Sequence, residues 1–254
     1  MSGSRGPRSR NSGTSSVSKP EAWLEAKARV FADKIGDLLG RTLPDAPSMR
    51  VSVVGSKLWI RPDGQTLDEN GRERGGVPLR VKGAPLAWLR VTYSCRPDST
   101  GTHLAVDGSK FWIVSTKDRS PLIRFEYEYQ ARTTPHSHIH VHAERGALSH
   151  LLTRTQHAKA HDMSALHLPT GGSRFRPDLE DVIQFLITEC GVDPVTSWKA
   201  AVDERRAEFR VIQARSVARA MAREAADELR ALGYTVHPPE EGEPELGRKA
   251  RFAW

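Results

Sequence analysis

Cysteine is scarce in this chain: Cys95 and Cys190 are the only two in 254 residues. That excludes a disulfide-stapled scaffold and suits a reducing compartment. There is also no run of about 18 apolar residues, so no transmembrane helix is expected. The basic N-terminus lacks the apolar stretch of a secretory signal. Together these absences predict a cytoplasmic protein with no membrane partner. Residues 1–20 contain no acid, and Arg5, Arg8, Arg10 and Lys19 there supply four of the formal +7 charge. The remaining +3 is ordinary, so a pI near 9.6 only leans towards acidic partners such as nucleic acid.

Apolar content is low, at 38 %, because both ends are polar. Residues 1–17 are too polar to offset their ordering entropy and read as a disordered basic tail. Residues 237–254, which include Pro238-Pro239-Glu240-Glu241-Gly242-Glu243, read as a disordered acidic and basic tail. Between them lie an α+β domain over 18–191 and a long helical segment over 192–236.

Ser18 and Glu21 form a capping box that opens a first helix. Leu24, Ala28, Phe31, Ile35 and Leu38 then recur at helical spacing, and Gly40 is expected to close the helix. From Met49 to about residue 144 the signals are those of strands. Residues 51–54 and 57–61 flank Gly55-Ser56, residues 62–86 read as turn and loop, and residues 87–93 read as a strand. Residues 102–106 and 110–116 flank Asp107-Gly108, a strong hairpin signal. Strands at this density without helices between them predict a curved antiparallel meander. The expected fold is thus an N-terminal helix, that sheet, and C-terminal helices, one of them long.

Residues 135–144 are organised around Pro135-His136-Ser137-His138-Ile139-His140-Val141-His142-Ala143-Glu144. A strand turns alternate residues to opposite faces. His136, His138, His140, His142 and Glu144 therefore share one face, and Ile139 and Val141 the other. Residues 122–130 alternate in the same way, with Ile123, Phe125, Tyr127 and Tyr129 set against Arg124, Glu126, Glu128 and Gln130. Both strands can bury their odd residues only if odd stays opposite odd. A loop through Thr133-Thr134-Pro135 allows two such registers. One pairs Glu128 with His138, Glu126 with His140 and Arg124 with His142. The other pairs Arg124 with Glu144. Carboxylates that close are expected to raise the histidine pKa values.

Past this hairpin, residues 145–159 read as a short helix, with His157 and His161 at i,i+4 spacing. Residues 164–169 look extended. Pro177-Asp178 starts a helix with the stripe Leu179, Val182, Ile183, Leu186 and Cys190, closed by Gly191. Asp193-Pro194 is expected to start a helix running to about Leu232, with a bend near 210–216. Arg215, Arg219 and Arg223 stack along it.

Three chemistries compete for the histidines. Metal-free acid–base work would use His138 and His140 as the proton-transfer pair, with His142 beside them. Glu126 or Glu128 would orient one imidazole, and Arg124 would stabilise a phosphorane. A metal site would use His138, His140 and Glu144 for Zn, Fe or Mn. His138-x-His140-x-x-x-Glu144 resembles the first motif of cupins, although Leu151 stands at that motif's glycine. The plain alternative is a solvent-facing histidine row. A non-catalytic rival is a module whose Arg215, Arg219 and Arg223 bind nucleic acid or an acidic partner.

Residues 121–187 also resemble TumE-type toxins of bacterial toxin–antitoxin systems. The likeness rests on Leu122-Ile123-Arg124-Phe125-Glu126-Tyr127, then Pro135-His136-Ser137-His138-Ile139-His140, then Pro177-Asp178-Leu179-Glu180-Asp181-Val182. It covers about a quarter of the chain. It implies a growth-inhibiting, ribonuclease-like activity on RNA without a cofactor, and a small antitoxin-like protein as partner.

Overall fold

A computed structural model describes residues 22–69, 73–98, 101–117, 120–143, 162, 167–169 and 176–240. The expected tails, the Ser18 cap, Glu144 and the 145–159 helix with its His157/His161 pair lie mostly or wholly outside these residues. The fold is α+β. Helix α1 (Ala22–Thr42) precedes strands β1 (Met49–Val54) and β2 (Lys57–Pro62). Short β3 (Thr66–Leu67) and β4 (Glu73–Arg74), then β5 (Val77–Val81), lead to the long β6 (Ala84–Pro97) and β7 (Leu104–Ser115). Strands β8 (Pro121–Glu128), β9 (Ser137–Val141) and β10 (Leu168–Pro169) follow. Helices α2 (Leu179–Thr188), α3 (Trp198–Ala220) and α4 (Ala222–Ala231) come last. The main sheet runs β1-β2-β6-β7-β8-β9-β10 with β5 also on β6, and every pairing in it is antiparallel.

Odd-numbered residues of β6, β8 and the part of β7 beyond the irregularity at Asp107 face the helices, and before it Leu104 and Val106 do. Leu89, Val91, Tyr93, Phe111 and Ile113 join Leu24, Ile35 and Leu38 of α1, Val182, Ile183 and Leu186 of α2, and Val202 of α3 in one core. Each large aliphatic side chain so buried contributes about 1.5–3 kcal/mol. Phe125 extends the core edge-on to Phe185, with centroids 6.3 Å apart.

Several expectations need correction. Asp107-Gly108 is not a turn but lies inside the unbroken β7. The register skips there, with Ser94 opposite Gly108 and Cys95 opposite Val106, so Asp107 is the extra residue of a β-bulge. The bulge points the buried Asp107 carboxylate at Lys57 and at Arg96 Nε, the latter at 3.0 Å. Glycine at 108 serves close packing, since a Cβ there would stand 2.9 Å from Ser94 Oγ and 3.2 Å from Tyr127 O. The reversal comes between Pro97 and Leu104, where Asp98 Oδ1 accepts from the N–H groups of Thr102 and His103.

The presumed loop over 62–86 contains β5, with Val77 and Leu79 in the core. Pro78 is tolerated because β5 pairs on one side only, with β6. Helix α1 passes through the exposed Gly40 to Thr42, because Leu43 beyond it is buried and holds the last turn in place. Asp193 does not cap a helix. Its carboxylate accepts from the backbone N–H of Lys82 and Gly83 at 2.9 and 2.7 Å, tying down the β5–β6 turn, and α3 starts only at Trp198. The long helix is interrupted at Met221 (φ −135°, ψ 52°) rather than near 210–216. Cys190 lies beyond α2 and is exposed.

Candidate metal centre on the polar face of the sheet

Even-numbered residues of β8 and β9, with Lys110 and Trp112 of β7, lie on the face opposite the helices. The parity argument holds, but neither expected register occurs. Arg124 stands opposite His140 and Glu126 opposite His138, while Glu128 N–H donates to His136 O. Tyr129 N–H still donates to Asp107 O of β7 at 2.9 Å, so the β8–β7 pairing runs one residue past β8 and the β8–β9 connection takes up residues 129–135, longer than the short loop expected.

His138 and His140 are each 4 % exposed, so they are not a solvent-facing row. A third imidazole meets them. β10 pairs with β9 as Leu168 with Ile139 and Pro169 with His138, which sets His167 opposite His140. The three rings lie edge-on to one another, with centroids 4.5–4.8 Å apart. One donor atom from each lies within 4.8 Å of the others. Zinc bonds of about 2.1 Å need tetrahedral donors about 3.4 Å apart, so closure on a metal takes about an ångström of side-chain rotation.

Glu126 forms the floor. Its Oε1 accepts from Trp112 Nε1–H at 2.8 Å and faces Arg124 at 3.4 Å. Its Oε2 lies 3.3 Å from His138 Nε2 and 3.6 Å from His140 Nε2. Burial pushes this carboxyl up, but the His138 bond and the charges of Arg124, His140 and Lys110 outweigh it and hold the carboxyl at about 2.

The bonds of His138 fix its chemistry. Nδ1 lies 2.8 Å from Pro135 O, and a carbonyl can only accept, so Nδ1 carries the hydrogen. Nε2 then faces an ionised carboxylate that also only accepts. A cation, whether a proton or a metal ion, has to lie between them. An imidazole anchored through Nδ1–H on a backbone carbonyl is the usual support for a metal-binding Nε2.

His142 behaves differently. Its Nε2 accepts from Arg124 Nε–H at 3.1 Å. Burial, then the Arg124 charge, lowers its pKa, which corrects the expectation that nearby carboxylates raise it. Glu128 is exposed at the end of β8, outside the cluster. Arg124 stacks over Trp112 at 5.5 Å. Arg215, Arg219 and Arg223 are exposed far along the chain, and the break at Met221 separates Arg223 from the other two.

The structure therefore gathers His138, His140, Glu126 and Arg124, and adds His167 and Trp112. Sequence reasoning noted only that residues 164–169 are extended. His167 becomes a neighbour through strand pairing, which local spacing cannot reveal. No protein-family model, curated protein or solved structure matches the chain.

Proposed function

We propose that this is a divalent-metal protein whose centre is His138, His140 and His167 with Glu126. The observation that carries this reading is the position of His138, anchored at Nδ1 on Pro135 O and facing Glu126 Oε2 with Nε2 beside two further imidazoles. Neutral nitrogen donors and a carboxylate suit Zn, Fe or Mn. With Glu126 left hydrogen-bonded to Trp112, three imidazoles leave a coordination position open for water or substrate. With Glu126 as fourth ligand, a tetrahedral site is closed and structural.

Metal analysis by mass spectrometry tests the assignment. Wild type should carry about one equivalent of metal. His140→Ala and His167→Ala should lose it, while His142→Ala should keep it because its Nε2 serves Arg124. Unchanged metal content in His167→Ala, or a wild type that neither holds nor takes up Zn, Fe or Mn, sinks the reading. Glu144→Gln separates this ligand set from the sequence-based one.

A second reading uses the same imidazoles without metal, as a ribonuclease-like acid–base pair of TumE type on RNA. The partly exposed Arg124 and His142 beside the cluster favour it. Its weakness is that a phosphodiester has to reach imidazoles that are 4 % exposed. Expression in a bacterial host decides: this reading requires slowed growth and RNA cleavage that survive EDTA in vitro and vanish in His138→Ala/His140→Ala.

A further inference from the structure

The half of the polar sheet face away from the histidines carries tryptophans and cations. Trp59 and Arg61 of β2 lie on it, because their neighbours Leu58 and Ile60 are buried in the core. Pairing carries the same face through Ser94, opposite Trp59, to Gly108. It also sets Arg90 opposite Trp112 and Thr92 opposite Lys110. Thr92, Ser94 and Gly108 are small, so the long side chains of β2 and β7 stand two strand spacings apart, about 10 Å. We infer that this part of the face binds single-stranded nucleic acid, with bases stacked on the tryptophans and phosphates on the cations beside them.

The cations are left without counter-charge. Arg50 of β1 stands directly opposite Arg61, and like charges so placed repel. Arg90 is 8 % exposed. Among the described residues, Arg50, Arg61, Arg90 and Lys110 make no ion pair or hydrogen bond, and the Nε atoms of Arg61 and Arg90 are buried without a partner. A desolvated guanidinium in that state costs free energy, which an anion arriving from outside recovers. The acids of the face do not fill the need. Asp107 is held by Lys57 and Arg96, and Glu126 by Trp112, Arg124 and His138. Glu73 acts on Arg90 through charge alone. Glu128 is exposed on the far side, opposite Gly108, and Asp63 at the near rim bonds Ser48.

The tryptophans select among polyanions. Trp59, Trp88 and Trp112 are all partly exposed on this face. Indole rings stack on unpaired bases of any sequence, whereas a duplex hides its bases and an acidic protein or polyphosphate has none. Arg61 lies over Trp59 at 4.7 Å and Lys110 over Trp112 at 5.9 Å. A cation therefore stands beside each of these rings, where the phosphates of a stacked base would run. None of the four cations belongs to the proposed metal centre, so the assignment stands without a bound metal.

Fluorescence titration of the full chain tests this with a single-stranded thymidine oligomer of about 12 nucleotides, its duplex with the complementary strand, and inorganic polyphosphate. The single strand should quench tryptophan emission and bind at least about tenfold more tightly than the other two. Its log affinity should fall with log salt at a slope of about −3, for four phosphate contacts. Arg61→Gln/Lys110→Gln should weaken binding by about tenfold or more and flatten the slope by about 1.4. Trp59→Ala should weaken binding by about tenfold and leave the slope unchanged. If either variant fails to fold, Arg50→Gln, exposed on the edge strand, should still flatten the slope by about 0.7. Duplex or polyphosphate binding as tight as the single strand, or no saturable single-strand binding below about 100 μM, overturns the assignment. So do folded variants that bind and respond to salt as wild type does.

Discussion

Two buried acids pull the stability of this protein in opposite directions with pH. Glu126, held at about 2, has a folded pKa below its unfolded one. Its contribution is present above the unfolded value and is lost as pH falls towards about 2; a shift of this size corresponds to about 3 kcal/mol. Asp178, raised to about 7, has the opposite sign. Its contribution is full below the unfolded carboxylate pKa and is lost as pH rises through about 7. Metal-free protein in urea should therefore gain stability from pH 8 to about 4.5 through Asp178 and lose it below about 4 through Glu126. Asp178→Asn should stabilise at pH 8 and not at pH 4, because asparagine caps α2 as well as aspartate without the buried charge. A stability curve in that variant parallel to wild type across this range would show that Asp178 is not the titrating group.

At the scale of elements, the β7 bulge sets the ion pairs of Asp107 with Lys57 and Arg96. Asp107→Ala removes the acceptor shared by Lys57 and Arg96. It should cost about 1.5–3 kcal/mol, towards the low end because both cations are partly exposed. Gly108→Val should cost about 1–3 kcal/mol, since its Cβ would crowd Ser94 and Tyr127. Urea denaturation measures both, and a cost below about 0.5 kcal/mol for each would show that the bulge is not structural. Helix α4 buries none of its side chains, whereas α2 buries half of its residues in or beside the core. Hydrogen exchange should find α4 amides opening well before those of α2; equal protection would mean that something covers α4.

Considered as a whole molecule, the sheet divides two kinds of chemistry. One face is the helix-covered core, and the other carries the imidazole cluster. A metal bound only by the folded state stabilises the entire fold by mass action. At free zinc about 100 times its dissociation constant the gain is about 2.7 kcal/mol, or about 5–10 °C in Tm for a chain of this size. EDTA should reverse it, and His167→Ala should show no shift. Among the described residues no helix is long and apolar enough to cross a membrane.

The amino-acid sequence by itself determined what depends on local period and parity. It specified the apolar stripe of α1, the strand character of 137–141, the separation of odd from even residues in β8 and β9, and the start of α2 at Asp178. These follow from backbone geometry, which repeats every 2 or 3.6 residues whatever lies nearby. Tertiary structure decided the remainder. Asp107-Gly108 carries a turn signal, yet a buried ion pair and close strand packing override it. Asp193-Pro194 carries a helix-start signal, yet the free N–H groups of Lys82 and Gly83 take its carboxylate. The register of β9 depended on the length of the connection from β8, which spans residues 129–135 and which residue parity alone does not fix. His167 joined the cluster through pairing across sequence-distant strands. Long-range hydrogen bonding and burial made these choices, because satisfying a buried polar group outweighs the fraction of a kilocalorie by which local propensities differ.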